Sequence, residues 1–253
     1  MAEEPAWTDE LLRSPHHAAD KAPRVRRMFN AIAPRYALVN TLFSAGRDAY
    51  WRRKAVDLVH VRPGDVVLDV ACGTGDLARA FERAGPACIV GVDFAHEMLT
   101  RAAGFSPRGR TAQDNSCRAC WLEADALRLP FGNDFSVVSC AFGVRNFADL
   151  NAGLREMHRV LRPGGRVVIL EFTRPRNALV RRAYEWYSVR VMPIAATWLS
   201  GDRTGAYRYL PRSVVSFPSA GEMQTILATI GFRDVRATPL TGGVVTTYTG
   251  VRD

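Results

Sequence analysis

Residues 66–76 read Val-Val-Leu-Asp-Val-Ala-Cys-Gly-Thr-Gly-Asp, and this stretch decides the fold. Its first five residues are apolar except for Asp69, a composition typical of a short buried strand. Gly73, Thr74 and Gly75 then form a turn, after which the pattern predicts a helix. A glycine-rich turn between a strand and a helix brings free backbone N–H groups close to a ligand. The stretch therefore predicts the first unit of an α/β fold, with a ligand site at the turn.

Strands and helices alternate after this unit. Further strands are predicted at residues 89–93, 120–123, 135–142 and 167–172, with helices at 76–84, 95–103 and 150–161 between them. Such alternation is typical of a doubly wound, Rossmann-like sheet of parallel strands. The C-terminal end departs from it, because a helix at 219–230 precedes two strands, at 232–238 and 244–251, whose short connection suits a hairpin. We therefore expect a mixed sheet with one antiparallel strand.

The chain has 253 residues, 47% of them hydrophobic and 23% charged, which is enough to bury the core of one large domain. We expect a single domain over residues 24–253, preceded by a disordered tail at 1–23 and containing a helical lid insertion at about 174–212. Two N-terminal helices are predicted, the second running from an N-cap at Asp48 to His60. No stretch approaches the roughly 20 apolar residues of a transmembrane helix, and no secretory signal is predicted. The expected location is the cytoplasm.

Basic side chains outnumber acidic ones by 34 to 25, which gives a net charge of +9. A basic chain can favour anionic partners such as nucleic acid or membrane lipid. The excess is concentrated at residues 174–212, where eight arginines stand against Glu185 and Asp202 among aromatic and aliphatic residues. That mixture is typical of a surface that meets lipid headgroups. It predicts a peripheral contact with an anionic membrane, with a solvated helix face packed on the core as the alternative.

The five cysteines are odd in number and scattered, a pattern that fits reduced thiols better than disulfides. Cys117 and Cys120 have the spacing of metal ligands. A structural zinc site needs about four ligands, however, and the chain offers no second pair. We therefore predict no metal site.

Three aspartates follow three successive predicted strands: Asp69, Asp93 and Asp125. The carboxyl ends of parallel strands meet at one edge of the sheet, so these side chains should converge on the glycine turn. Asp69 would repel the pyrophosphate of a dinucleotide, whereas S-adenosylmethionine has no phosphate and carries a sulfonium and an ammonium. Asp93 is placed to accept from ribose hydroxyls, and Asp125 from an adenine amino group. The pattern favours S-adenosylmethionine as methyl donor, with loop caps as the alternative role of each acid.

Further motifs lie outside the glycine turn. They are Leu129-Pro130-Phe131, Phe142-Gly143-Val144-Arg145-Asn146, Leu161-Arg162-Pro163-Gly164-Gly165, Leu170-Glu171-Phe172, Tyr207-Arg208-Tyr209-Leu210-Pro211 and Leu240-Thr241-Gly242-Gly243. Together with residues 67–75 they resemble the ubiquinone/menaquinone biosynthesis C-methyltransferase family, a class I S-adenosylmethionine-dependent group, over about residues 24–251. The resemblance implies seven strands with the last one antiparallel.

The resemblance also implies a site and a substrate. It places cofactor contacts at Thr74, Asp93, Asp125 and Ala126. Taken with the glycine turn, the predicted cofactor-binding residues are Asp69, Gly73, Thr74, Gly75, Asp93, Asp125, Ala126 and Ala141. The implied substrate is a polyprenyl quinol, namely demethylmenaquinol in bacterial members and, in some, also a polyprenyl benzoquinol precursor of ubiquinone.

The chain departs from the family pattern at several positions. Ala141 replaces a serine, so one hydroxyl contact to the cofactor is lost. Ala37 and Thr41 replace two aspartates, and Asp48 replaces a histidine. The last three changes concern the N-terminal helices that close over the cofactor.

Methyl transfer to a ring carbon needs electron density from a quinol oxygen, whose ordinary pKa is close to that of tyrosine, about 10. Arg145 is predicted to hydrogen-bond the developing oxyanion, with Asn146 beside it. Because a guanidinium does not lose its proton in proteins, a water or Tyr209 would carry the substrate proton. The alternative roles are a structural turn for Arg145 and Asn146 and core packing for Tyr209.

The sequence is also compatible with other classes of function. An O- or N-methyltransferase of a small phenol or amine would share the cofactor residues but not the motifs at 142–146 and 207–211. A nucleic-acid methyltransferase would use the positive charge, but the Asn/Asp-Pro-Pro-aromatic motif typical of base-amino methylation is absent, so no nucleic-acid partner is expected. A non-catalytic, cofactor-binding regulatory protein is a different class, which turnover with a quinol would exclude.

Overall fold

The computed structural model describes residues 6–8, 10–13, 15–16, 20–104, 119–192, 197, 202 and 204–253. The elements in chain order are α1 (Lys21–Phe43), α2 (Arg47–Val59), β1 (Val66–Val70), α3 (Asp76–Glu82), β2 (Cys88–Asp93), α4 (His96–Ala103), β3 (Ala119–Glu123), β4 (Phe135–Ala141), α5 (Leu150–Val160), β5 (Leu161–Phe172), α6 (Ala178–Trp186), α7 (Ala206–Val215), α8 (Ala220–Ile230), β6 (Phe232–Leu240) and β7 (Val245–Arg252). A π-helical turn at Tyr187–Val191 continues α6, and short 3₁₀ turns lie at Leu11–Arg13, Val144–Asn146 and Thr241–Gly243.

The strands form one seven-stranded sheet in the order β3-β2-β1-β4-β5-β7-β6. The first five strands pair in parallel, and β7 runs antiparallel to both β5 and β6. This arrangement confirms the predicted Rossmann-like mixed sheet with its last strand antiparallel. In the register, Asp69 of β1 lies opposite Gly91 of β2 and Ser139 of β4, which brings the ends of these three strands to one edge of the sheet.

Helices cover both faces of the sheet because successive strand residues point to opposite sides. Leu68 packs with Leu154 of α5 on one face, whereas its neighbour Val67 packs with Trp51 of α2 on the other. A third apolar cluster joins α1, α4 and α7, and Met28 and Tyr207 are among its buried members. Apolar residues on both faces of these strands require cover on both sides of the sheet, and the helices provide it.

Two predicted boundaries are wrong. Strand β5 begins at Leu161 rather than at 167, because Leu161 pairs with Phe135 before a shift in register. Asp48 is not the N-cap of α2: the helix begins one residue earlier, after Gly46 in a left-handed conformation with a φ of 72°. The Asp48 carboxylate instead accepts a hydrogen bond from Ser44 Oγ at 3.0 Å.

The sequence predicts a disordered tail at residues 1–23. Where the structure describes this segment, several of its side chains pack on the domain. Trp7 is 1% exposed and its ring stacks on Tyr209, with 4.2 Å between the centroids. Leu12 is buried in the same cluster. Lys21, at the start of α1, donates from Nζ to the Phe147 carbonyl at 2.5 Å. The sequence of this segment has no hydrophobic periodicity. Single large side chains such as Trp7 anchor it, and these cannot be recognised from a periodic pattern.

Parts of two other predicted segments lie outside the described residues. Of the loop predicted at 104–118, only Gly104 is described, so Cys117 and its pairing with Cys120 are not placed. The described part of the predicted lid consists of α6, the π-helical turn and the start of α7. None of the helices in the described ranges is long and apolar enough to cross a membrane.

Candidate active site

The turn after β1 has an unusual backbone, since Ala71, Gly73 and Gly75 have φ values of 53°, 54° and 81°. Glycine adopts such angles without steric cost. At Gly75 a Cβ would also come within 2.8 Å of the Trp121 ring, so a larger residue would not fit. The Gly73 N–H donates to Oδ2 of Asp93 at 2.8 Å. The turn is therefore fixed both by its glycines and by the carboxylate that ends β2.

Asp93 also holds the start of the next helix, because its Oδ1 accepts from the Ala95 N–H at 2.9 Å. Burial raises the pKa of Asp93 to about 6, against the opposing effect of these backbone N–H groups. A carboxylate has about four acceptor positions. Asp93 can therefore hold the backbone and still accept a hydrogen bond from a ligand.

A cavity lies at the carboxyl ends of β1, β2 and β4, with an empty volume of about 760 Å³. We name this space the strand-end cavity. The predicted site residues in its wall are Gly73, Asp93, Asp125, Ala126, Ala141 and Asn146. Phe29, Met98 and Phe147 supply apolar surface. The structure thus gathers most of the predicted cofactor-binding residues around one cavity.

A smaller polar recess adjoins the strand-end cavity, and Gly73 and Ala141 line both. The two remaining predicted side chains, Asp69 and Thr74, lie in the wall of this recess. Gly75 lines neither space and acts by letting the turn pack under Trp121. The recess also receives Arg52, Asp76 and Tyr36, none of which was predicted as a site residue.

Asp69 carries an unsatisfied buried oxygen. Its Oδ1 accepts from Ser139 Oγ at 2.8 Å, whereas Oδ2 has no hydrogen-bond partner among the described residues. Burial raises the pKa of Asp69 to about 7. A buried acceptor without a partner costs roughly 1–3 kcal/mol. A positively charged donor in the recess would remove that cost and favour the ionised carboxylate.

A third and larger space, the aromatic cavity, has an empty volume of about 1050 Å³. Its aromatic wall consists of Tyr36, Phe43, Trp51, Phe142, Phe172, Tyr184 and Tyr187. Tyr36 and Phe142 also line the strand-end cavity, so the two spaces meet at these side chains. A flat ring in the aromatic cavity would therefore lie next to the far end of a ligand in the strand-end cavity.

Arg145 lies in the wall of the aromatic cavity and is 4% exposed. Its Nη1 donates to Oε1 of Glu171 at 2.5 Å and to the Phe142 carbonyl at 2.9 Å. Its Nε is 3.3 Å from Ser213 Oγ. Nη2 makes no hydrogen bond within the described part of the chain. Burial acts to lower the pKa of Arg145, but Glu171, Tyr36 and Tyr209 together outweigh it, so that the pKa is raised.

Glu171 lies at the site through its pair with Arg145 and is not among the site residues predicted from the sequence. Its side chain is fully buried, and it also accepts from the Phe172 N–H at 2.8 Å. The sequence does contain an indication of its role, namely a lone carboxylate at the end of an otherwise apolar strand. A buried charge rarely lacks a partner, so such a carboxylate indicates a buried ion pair. Glu171 fixes the orientation of Arg145 and therefore the direction of its remaining N–H groups.

Asn146 and Tyr209 form a second buried pair. The Tyr209 hydroxyl donates to Asn146 Oδ1 at 3.1 Å, and Asn146 Nδ2 donates to the Phe142 carbonyl at 3.2 Å. Burial raises the pKa of Tyr209 well above its ordinary value. Asn146 lines the strand-end cavity, but Tyr209 lines neither cavity. This position suits a residue that orients Asn146 better than one that takes a proton from a substrate.

Arg52 connects the polar recess with the aromatic cavity, since it lines both. Its Nη1 donates to Oδ2 of Asp48 at 2.6 Å, and its Nη2 lies 3.7 Å from Oδ2 of Asp76. Its guanidinium carbon is 5.6 Å from the centroid of the Phe142 ring. In the sequence, an arginine on an amphipathic helix is indistinguishable from a surface residue, which is why it was missed.

Within the described ranges, no group of three His, Cys, Asp or Glu side chains is arranged to hold a metal ion. The donors that converge on the cavities are carboxylates, guanidinium groups and backbone amides. Such a set suits an organic ligand with both positive and negative groups.

Comparisons with known proteins agree with this geometry. Demethylmenaquinone methyltransferase of Thermus thermophilus is 46% identical over 227 residues, covering 89% of this chain and all of that protein. The ubiquinone/menaquinone biosynthesis C-methyltransferase UbiE of Geobacter sulfurreducens is 44% identical, covering 93% and 91%. Among solved structures, a SAM-dependent methyltransferase of Thermotoga maritima shares the fold with a TM-score of 0.61 and 16% identity, covering 89% of this chain and all of that one.

The family assignment rests on nearly the whole chain. The model of the ubiE/COQ5 methyltransferase family matches residues 17–252, which include every residue of the three cavities described above. The two relatives are 44% and 46% identical and cover 93% and 89% of this chain. This chain therefore belongs to the ubiE/COQ5 methyltransferase family, the group of S-adenosylmethionine-dependent C-methyltransferases that its sequence motifs resemble.

Proposed function

We propose that this protein methylates a ring carbon of a polyprenyl quinol and that its preferred substrate is demethylmenaquinol, which it converts to menaquinol. The observation that carries the proposal is the aromatic cavity, with Arg145 in its wall and the strand-end cavity next to it. The names of the relatives from Thermus and Geobacter support the same reaction class. A polyprenyl benzoquinol precursor of ubiquinone is the second candidate, because the aromatic cavity is large enough for either ring.

The residues present fit S-adenosylmethionine, which supplies an electrophilic methyl group when bound. Its ammonium would donate to the unsatisfied Oδ2 of Asp69, and its carboxylate would face Arg52 in the polar recess. Asp93 would accept from the ribose hydroxyls, and Asp125 with Ala126 would contact the adenine in the apolar part of the strand-end cavity. The ammonium and the carboxylate of the methyl donor would thus each meet a side chain of opposite charge.

Arg145 acts on the substrate oxygen in this proposal. A quinol ring is a weak carbon nucleophile until its hydroxyl begins to lose the proton, and a hydrogen bond from Nη2 stabilises the charge that develops on that oxygen. Glu171 holds the guanidinium in place, and Phe172 packs against it, with its ring centroid 5.5 Å from the guanidinium carbon. Asn146, oriented by Tyr209, lines the strand-end cavity and donates to the carbonyl of Phe142, a residue that lines both cavities, so it would help to position the methyl donor.

Turnover assays separate the candidate functions. Purified protein is incubated with S-adenosylmethionine and, in separate reactions, reduced demethylmenaquinone, a reduced polyprenyl methoxy-benzoquinone and small phenols or amines. The proposal predicts ring methylation and the highest kcat/KM with the naphthoquinol. Preference for the benzoquinol would change the assigned head group of the substrate and leave the assigned reaction unchanged. Methylation of small phenols or amines alone, or cofactor binding without turnover on any acceptor, would contradict the proposal and favour an O-/N-methyltransferase or a regulatory protein.

We further propose that the lid contacts an anionic membrane, from which a polyprenyl quinol must be drawn. Leu179 and Trp186 of α6 are 77% and 64% exposed, and Leu38 and Leu42 of α1 are 53% and 54% exposed. The two helices are joined where Tyr187 donates to the Phe43 carbonyl at 3.2 Å. Large exposed apolar side chains next to basic residues are typical of surfaces that lie in the lipid headgroup region.

Charge adds to this surface through Arg174, Arg176, Arg181, Arg182 and Arg190. Each contributes about 1 kcal/mol near an anionic leaflet, and the attraction is screened by salt. We expect the protein to sediment with anionic but not with neutral vesicles and to be released at high salt.

A charge-matched comparison tests the membrane proposal. Neutralising Arg181, Arg182 and Arg190 should abolish sedimentation, whereas neutralising the exposed Arg53, Arg62 and Arg83 removes the same charge elsewhere and should not. If both variants lost sedimentation equally, membrane binding would depend on the net charge of the protein and not on the lid. Absence of binding to both vesicle types would contradict the contact itself.

A further inference from the structure

Methyl transfer to a quinol ring releases a proton, and neither Arg145 nor Tyr209 is suited to accept it. Arg145 stays charged, and Tyr209 lines neither cavity. Besides Arg145, the titratable side chains in the wall of the aromatic cavity are Tyr36, Arg47, Asp48, Arg52, Tyr184 and Tyr187. Among the described residues, Asp48 is the one carboxylate in that wall.

The Asp48 carboxylate is held at the cavity wall by two partners. Ser44 Oγ donates to its Oδ1 at 3.0 Å, and Arg52 Nη1 donates to its Oδ2 at 2.6 Å. The side chain is 12% exposed, so it is buried in the wall while facing the cavity. Because a carboxylate has about four acceptor positions, these two bonds leave room for a substrate hydroxyl.

We propose that Asp48 is the general base that accepts the hydroxyl proton of the quinol as the ring carbon is methylated. The inference rests on the proposed function and deepens it by naming the proton acceptor. Arg47, Arg52 and Arg145 lie in the same wall and favour negative charge on the substrate oxygen. The family pattern has a histidine at this position, so a side chain able to accept a proton occupies it in both cases.

A ring carbon forms a bond to the methyl carbon while the bond from that carbon to the sulfonium sulfur breaks, and its electron pair remains on the sulfur of S-adenosylhomocysteine. The quinol O–H proton moves to Asp48 in the same step, because the ring becomes electron-poor and the hydroxyl strongly acidic. The methylated carbon then loses its hydrogen to water as a proton, and Asp48 returns its own proton to the ring oxygen. The net release is one proton.

Two substitutions at the same position test this role, using the full-length protein with S-adenosylmethionine and reduced demethylmenaquinone. Asp48→Asn keeps the size and the bond to Ser44 but cannot accept the proton. Asp48→His supplies an acceptor with an ordinary pKa of about 6.5. Asp57→Asn is the matched control, because Asp57 lies on the same helix, is exposed and lines no part of the aromatic cavity. The readouts are kcat, KM, their pH dependence and the dissociation constant of S-adenosylhomocysteine.

General base catalysis contributes roughly 10²–10⁴-fold. Asp48→Asn should therefore lower kcat at least about 100-fold, with KM for the quinol and the S-adenosylhomocysteine dissociation constant little changed. Asp48→His should recover a large part of the rate and show an added loss on acidification near the ordinary pKa of histidine. Asp57→Asn should match the wild type.

Two results would overturn the assignment. Asp48→Asn could retain the wild-type kcat, or Asp48→His could be as slow as Asp48→Asn at every pH while both bind S-adenosylhomocysteine; either outcome would make the Asp48–Arg52 pair structural. Failure of the wild-type protein to methylate any quinol is a separate result, because it contradicts the proposed function and not the choice of base.

Discussion

Substituting Glu171 by glutamine would leave the Arg145 guanidinium buried without its counter-charge. The two side chains are only 3% and 0% exposed, and their closest atoms are 2.5 Å apart. Removing one member of such a buried pair costs about 3–5 kcal/mol. We expect a loss of about 3 kcal/mol, at the lower end, because the glutamine amide oxygen and Ser213 still accept from Arg145. For a domain of this size, each kcal/mol lowers Tm by about 2–4 °C, so Tm should fall by about 6–12 °C.

Urea and thermal unfolding, followed by circular dichroism, measure this loss. The double variant Arg145→Met/Glu171→Leu removes both charges, and replacing a buried pair by apolar residues is often neutral or stabilising. It should therefore regain stability to within about 1 kcal/mol of the wild type while remaining inactive. Glu185→Gln, which breaks the exposed pair with Arg174, is the control and should cost less than about 1 kcal/mol. A Glu171→Gln protein as stable as the wild type, or a double variant less stable than the Glu171→Gln protein, would refute this reasoning.

Three further predictions concern the cofactor cavities and Arg145. Asp93→Ala should remove most of the affinity for S-adenosylhomocysteine in calorimetric titration, since the ribose acceptor and the Gly73 anchor are lost together; an unchanged dissociation constant would contradict the site. Asp69 has a pKa of about 7, above its ordinary value of 3.8, so the unliganded wild type loses stability as pH rises between these values. Asp69→Asn removes that loss, so the variant should be more stable than the wild type above about pH 7 but not below about pH 4. It should also bind S-adenosylhomocysteine more weakly. If the variant and the wild type had the same urea midpoint at both pH values, the prediction would be wrong. Arg145→Lys should lower kcat more than cofactor affinity, because an ammonium does not reproduce the planar set of donors that binds Glu171 and Phe142; equal losses in both would mark Arg145 as structural.

Most of the fold was predictable because hydrophobic periodicity is a local property of the sequence. The short apolar runs at β1 and β4 and the glycine turn after β1 could be placed without knowing their partners. The start of β5 could not, since Leu161 joins the sheet only through its pairing with Phe135 across a shifted register. The packing of Trp7 on Tyr209 was missed for the same reason, because the two rings are about two hundred residues apart in the chain.

The cofactor side of the site was more predictable than the substrate side. Asp69, Asp93 and Asp125 follow successive strands, so parallel topology alone brings them to one edge. The aromatic cavity is built instead from α1, α2, α6 and the loop after β4, and its charged residues are recognisable only from the pairs they form. Arg145 was predicted, but its partner Glu171 and the Asp48–Arg52 pair became visible only in three dimensions.

Transfer of an isotope-labelled methyl group from S-adenosylmethionine to reduced demethylmenaquinone by the purified protein tests the central claim most directly. The product is analysed by mass spectrometry and by NMR, which distinguishes a methyl group on a ring carbon from one on oxygen. The account predicts label on a ring carbon of the naphthoquinol, and loss of that product in the Arg145→Lys protein. Label on the oxygen, or no transfer by a protein that binds S-adenosylhomocysteine, would contradict it.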